Sequence, residues 1–154
     1  MTRLFKDKNG SAYLWAAFIL LAMVMLAAVV YNSVAVYAKY QTAETELQRA
    51  ATVTVDSSMQ NAAVRDLVLD IPTADAEGLF FNHLRELGYE QTDGDWVKRV
   101  DGKAVCTLTV LSVETYGRTM TVSAVLAIPL MWETGGMSTV RIPIQARSSV
   151  LYID

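Results

Sequence analysis

Between Lys8 and Lys39 the chain runs for 30 residues without an Asp, Glu, Lys, Arg or His. Within that run, Ser11-Ala-Tyr-Leu-Trp-Ala-Ala-Phe-Ile-Leu-Leu-Ala-Met-Val-Met-Leu-Ala-Ala-Val-Val-Tyr31 is long enough to cross a bilayer as one helix, since about 20 apolar residues span a hydrocarbon core roughly 30 Å thick. A secretory signal has an apolar core of only about 7–15 residues before its cleavage site. Ala27-Ala28 and Ala35 to Ala38 imitate such a site, but the core before them is too long. Tyr13 and Trp15 at one end and Tyr31 at the other suit the two interfaces of a spanning helix. Arg3, Lys6 and Lys8 against Asp7 give the leader a net charge of +2, whereas Lys39 onward carries 10 basic and 15 acidic residues. Positive charge marks the cytoplasmic side. The sequence therefore predicts a cytoplasmic basic leader over 1–10, a transmembrane helix over 11–38 and an extracytoplasmic domain over 39–154, in a single-pass protein of the cell membrane. Its acidic balance excludes nucleic acid as a partner, because phosphate binding needs clustered Lys and Arg.

Small residues at Ala12, Ala16, Ala17, Ala22, Ala27 and Ala28 offer close-packing patches for a neighbouring helix, although alanine is common in any membrane helix. No glycine or proline interrupts the chain from Ser11 to Ile71. Val36, Tyr40, Ala43, Leu47, Ala50 or Ala51, Val55, Met59 and Ala62 recur every three or four residues, which is the stripe of an amphipathic helix. Lys39, Glu44, Glu46, Arg49, Asp56 and Arg65 occupy the other face, with Glu46 and Arg49 spaced to support each other. The β-branched cluster Thr52 to Val55 lowers helix propensity locally and leaves room for a bend or break there. One helix is predicted from about Ala12 to Leu69, ended by Pro72.

A short helix follows over Thr73–Leu87, with Thr73 as N-cap, Asp75 and Glu77 in its first turn, Leu79, Phe80, Leu84 and Leu87 as its apolar face, and Gly88 as C-cap. The remainder reads as four strands. Trp96–Val100 is joined through Asp101-Gly102 to Ala104–Glu114, and Thr115–Arg118 turns into Thr119–Trp132. Glu133–Gly136 turns again into Ser138–Tyr152. Met120, Val122, Ala124, Leu126 and Ile128 share one face, and Val140, Ile142, Ile144, Ala146 and Val150 another. Pro129 and Pro143 belong at an edge, an end or a bulge. The expected fold is α+β: a long N-terminal helix, transmembrane in its first half and amphipathic in its second, packed on a four-stranded antiparallel β-meander, with a short helix between them.

The chemistry-bearing residues are sparse. The sequence has no Gly-rich phosphate loop, nucleophile elbow or metal-ligand spacing. His83, the single histidine, lies beside Phe80 and Leu84 at helical spacing, as a partly buried or solvated side chain. Cys106, the single cysteine, shares a strand face with Leu108 and Val110 and reads as a small buried hydrophobe. Asp93, Asp95 and Asp101 read as turn residues, with a calcium site as the alternative. Lys98, Arg99 and Lys103 read as a solvated strand edge. Met131 and Trp132 beside the Gly-Gly turn are either a contact patch or the end of the core. No enzyme activity, cofactor, metal or small-molecule substrate is expected.

The opening Lys6-Asp-Lys-Asn-Gly10 followed by Ser11-Ala-Tyr-Leu-Trp-Ala-Ala-Phe-Ile-Leu-Leu resembles that of type IV pilins and pseudopilins, and within them the TadE-like minor pilins of Tad (Flp-type) pili. The likeness covers the helix closely and the sheet by architecture. It implies a pilin-like fold, cutting by a prepilin peptidase between Gly10 and Ser11, and a role in initiation, tip or assembly of a pilus or related secretion apparatus. The implied partners are other pilin-like subunits and the pilus assembly platform. The family carries Glu at the fifth mature position, which here is Trp15. Two other classes stay open: a membrane-anchored scaffold or binding domain of another envelope complex, and a soluble domain released by cleavage.

Overall fold

The computed structural model describes the backbone of residues 8–66, 71, 73–134 and 137–149, and the side chains of 12–58, 71, 73–130 and 138–149. Two compact units divide at Ala35/Val36. One helix, α1 (Lys8–Asp66), contributes to both. The expectation for Leu69 and Pro72, and those for the side chains of Met59, Ala62, Arg65, Met131, Trp132 and Val150, fall outside the described residues.

α1 passes through Thr52–Val55 as continuous helix. The penalty of β-branching is offset there because Thr54 and Val55 are buried in the core, while the threonine hydroxyls find acceptors on the helix itself. Thr52 Oγ1 donates to the Gln48 carbonyl at 2.9 Å and Thr54 Oγ1 to that of Ala50 at 2.7 Å. Ser33, Thr42, Thr45 and Ser58 make the same bond to the carbonyl four residues back. This back-bonding satisfies a hydroxyl without water.

In the unit Val36–Asp154, α1 is followed by α2 (Thr73–Glu86) and by strands β1 (Tyr89–Thr92), β2 (Asp95–Val100), β3 (Lys103–Tyr116), β4 (Thr119–Thr134) and β5 (Met137–Ser149). The strands form one antiparallel sheet in the order β1-β2-β3-β4-β5. The sheet therefore has five strands rather than four. β1 is four residues long with only Tyr89 buried, so it shows no apolar alternation, yet it is tied to β2 by a second Asp-Gly turn. Asp93 and Gly94 at φ 52° and 91°, like Asp101 and Gly102 at 52° and 75°, are left-handed at both central positions, as a two-residue hairpin requires.

Ala43, Leu47, Ala50, Ala51 and Val55 of α1 are buried in one core with Ala76, Phe80 and Leu84 of α2. The sheet supplies Tyr89, Trp96, Cys106, Leu108, Met120, Val122, Ala124, Leu126, Ile128, Ile144 and Ala146. The helical stripe and the β4 alternation thus meet as the periodicities predict. Pro143 lies on edge strand β5, and Pro129 where the β4–β5 register shifts. α2 ends as expected, with Gly88 at φ 86° donating to Arg85 and Leu87 to His83. At its other end, the Thr73 hydroxyl bonds that of Thr115 at 2.6 Å, and Thr115 also donates to the Ile71 carbonyl at 3.1 Å. These bonds hold the start of α2 against the end of β3.

Candidate membrane anchor and a buried polar cluster

From Ala12 to Ala27 every side chain of α1 is exposed. Trp15, Phe18 and Leu26 show about two-thirds of their surface. Lone exposed apolar residues are ordinary, but a continuous exposed apolar surface marks an interface. The helix is long and apolar enough to cross a membrane. Nine Leu, Ile, Phe and Val residues lie between Ala12 and Tyr31. At about −0.3 to −0.6 kcal/mol each, they favour insertion by roughly 3–5 kcal/mol. Ser33 Oγ, near the C-terminal end of this stretch, donates to the Val29 carbonyl at 2.9 Å and so brings no unsatisfied hydroxyl. Ala12, Ala16, Ala17, Ala22 and Ala27 are all exposed and Ala28 is half-buried. The Gly10–Ser11 bond lies in the helical backbone near the start of α1, while the side chains of both residues fall outside the described ones.

The second site is a part-buried polar cluster at the margin of the core of the sheet unit, which only the fold reveals. Glu46 of α1 lies over the sheet, where one carboxylate oxygen accepts from Lys98 Nζ of β2 and the other from the Tyr89 hydroxyl of β1 at 2.9 Å. The Lys98 ammonium sits 5.2 Å from the Tyr89 ring centroid, and the Cys106 sulfur 4.0 Å from the Tyr89 hydroxyl. Glu46 and Lys98 keep only 18% and 22% of their side-chain surface in solvent. This corrects two expectations. Glu46 is engaged by the sheet rather than by Arg49 on an exposed helix face. Lys98 is not a solvated edge, because β1 pairs outside β2 and makes it an interior strand. Arg99 and Lys103 are exposed as expected.

Burial pushes the Tyr89 hydroxyl well above its ordinary range, reinforced by Cys106 and Glu46 beside it. Burial likewise raises the Cys106 thiol, outweighing the opposing influence of the Tyr89 hydroxyl beside it and the charge of Lys98. A thiol held protonated and 4% exposed is a poor nucleophile. The cluster is a clamp between helix and sheet.

The other singled-out residues stay apart. His83 is half-buried, its Nδ1 is 3.0 Å from Glu86 Oε2, and its Nε2 is buried with no partner among the described residues. Asp93 and Asp101 occupy turns at opposite ends of β2, and the Asp95 carboxylate accepts from Thr109 Oγ1 at 2.7 Å. Phe81 stacks on Trp96 at 5.2 Å, with the Arg85 guanidinium 5.6 Å from the Trp96 ring centroid. Comparison of the chain with protein-family models, curated proteins and solved structures yields no match.

Proposed function

We propose that the chain is a non-enzymatic, membrane-anchored minor pilin or pseudopilin, acting in initiation, tip or assembly of a Tad-type pilus or a related secretion apparatus. One observation carries this reading: a single helix is exposed and apolar from Ala12 to Ala27, yet from Ala43 to Val55 supplies the core of an antiparallel sheet. Such a helix serves as a bilayer anchor, and it leaves lipid only when other apolar helices cover it, which the small residues assist. In this reading the N-terminus is cytoplasmic, the sheet unit is extracytoplasmic, and a prepilin peptidase, the assembly platform and other pilin-like subunits are the partners.

Trp15 at the fifth position after Gly10 favours a second reading, a single-pass anchored scaffold or binding domain of another envelope complex. Intact-mass measurement of the protein from its native membranes separates the two. A chain beginning at Ser11 supports the pilin reading. A chain beginning at Met1 or Thr2 overturns it and leaves a permanent signal-anchor.

A further inference from the structure

β5 is the long edge of the sheet, the place where a strand from another copy of the chain would add. The Gln48 carboxamide on α1 meets the edge with both its groups: Nε2 donates to the Arg147 carbonyl at 2.8 Å, and Oε1 accepts from the Arg147 N–H at 3.3 Å. Those two backbone groups therefore point away from β4. In an antiparallel ladder the outward-facing residues alternate, so Thr139, Arg141, Pro143 and Gln145 face the same way as Arg147. One member of that row, Pro143, has no N–H to offer. The two features are independent, one a side chain from the covering helix and the other a residue of the strand itself.

Their joint effect is visible in the symmetric pairing that brings two β5 strands together about Pro143. That two-fold sets Pro143 against its own copy, with no donor on either side, and sets Arg147 against Thr139 with both Arg147 groups already occupied. Only the Arg141–Gln145 pairs keep their full bonds. Shifting the register by two residues in either direction still places Pro143 within the ladder and Arg147 near its end.

We infer that Gln48 and Pro143 form a guard on the β5 edge, Gln48 standing in for a neighbouring strand, which prevents copies of this chain from joining sheet to sheet. A membrane-tethered protein is concentrated in two dimensions, where an open edge is a standing aggregation hazard. The guard leaves association to other surfaces, whether or not the chain enters a pilus.

The test uses the full chain in detergent micelles, with Gln145→Cys as an exposed attachment point for a bismaleimide cross-linker. Cys106 is buried and does not compete. The cross-linked dimer is quantified in three backgrounds: otherwise unaltered, Gln48→Ala, and Gln48→Ala with Pro143→Val. Releasing the Arg147 groups and restoring the missing donors adds several ladder bonds, so the doubly altered chain is expected to cross-link about tenfold more, with Gln48→Ala intermediate. Association through the apolar helix raises all three backgrounds alike and drops out of the ratio. Equal cross-linking in all backgrounds, or complete cross-linking of the guarded chain, overturns the guard. If Pro143→Val loses the near-ultraviolet dichroism of the folded sheet, Gln48→Ala decides alone, since it alters an exposed side chain; the absence of any rise there is then the refutation.

Discussion

Replacing Glu46 by Ala removes the one acceptor shared by Lys98 and Tyr89, and its cost can be worked from the geometry. A fully buried ion pair that loses one partner costs about 3–5 kcal/mol, whereas an exposed pair is worth about 0–1 kcal/mol. Glu46 and Lys98 keep 18% and 22% of their side-chain surface in solvent, nearer the buried limit, and Lys98 can recover part of its hydration after the change. The Tyr89 hydroxyl loses a bond to a charged acceptor, an interaction of about 1.5–3 kcal/mol, and keeps only the weak sulfur contact to Cys106. The two losses share a carboxylate and do not add in full. A gain of a few tenths of a kcal/mol from the better helix former offsets little. The expected net is about 2–4 kcal/mol, or roughly 10 °C in Tm for a unit of this size. The assay is urea unfolding of the full chain in detergent, read by fluorescence of buried Trp96 in a Trp15→Phe, Trp132→Phe background. Lys98→Met should cost less, because Glu46 keeps its bond from Tyr89. Glu46→Leu with Lys98→Met should recover most of the loss by replacing the pair with apolar packing. A cost below about 0.5 kcal/mol for Glu46→Ala would refute the reasoning, since that is the value of a solvated surface pair.

Three further outcomes are expected. Cys106 should stay unmodified by Ellman's reagent in the folded protein and react fully in guanidinium chloride; rapid native reaction would contradict its burial and protonation. Tyr89 and Cys106 both hold their protons more tightly folded than unfolded, so their contribution is complete below their ordinary pKa values. It is lost as pH rises past about 9 for the thiol and about 10 for the phenol. Urea midpoints measured across that window should fall, and Tyr89→Phe should flatten the decline above pH 10. Leu21→Lys should cost about 3 kcal/mol of membrane insertion, close to the whole roughly 3–5 kcal/mol available, so that carbonate extraction releases a large fraction of the chain.

The parts of the fold that were legible in the sequence are those where one periodicity runs long enough to dominate. Met120 to Ile128 alternate strictly and are all buried on the even positions, and the stripe from Ala43 to Val55 lands in the core at the expected spacing. β1 escaped because Tyr-Glu-Gln-Thr is short and mostly polar, although the Asp93-Gly94 turn carried the same signal as Asp101-Gly102. The clamp was illegible for a different reason. Glu46 lies 43 residues from Tyr89 and 52 from Lys98, so no local pattern ties them, and each taken alone has the character of a surface residue. The guard depends on a separation of 99 residues and on which way a backbone group points, which side-chain identity does not encode. The exposed apolar stretch of α1 was the plainest feature, since a long charge-free run leaves few alternatives.

The hydroxyls of α1 have a further consequence. Ser33, Thr42, Thr45, Thr52, Thr54 and Ser58 each return their proton to a carbonyl one turn earlier. A hydroxyl already bonded in this way loses little when water is withdrawn, so Ser33, the one of these that lies before Lys39, places only a weak toll on immersion. Under the anchored reading, the depth of the helix is then set by Lys39 and by the aromatic rings of Tyr31 and Tyr37, not by its serines and threonines. The helix can ride up or down by a turn at small cost until Lys39 reaches the headgroups. That vertical slack would let one sequence sit in bilayers of different thickness, or follow a neighbouring helix that pulls it outward.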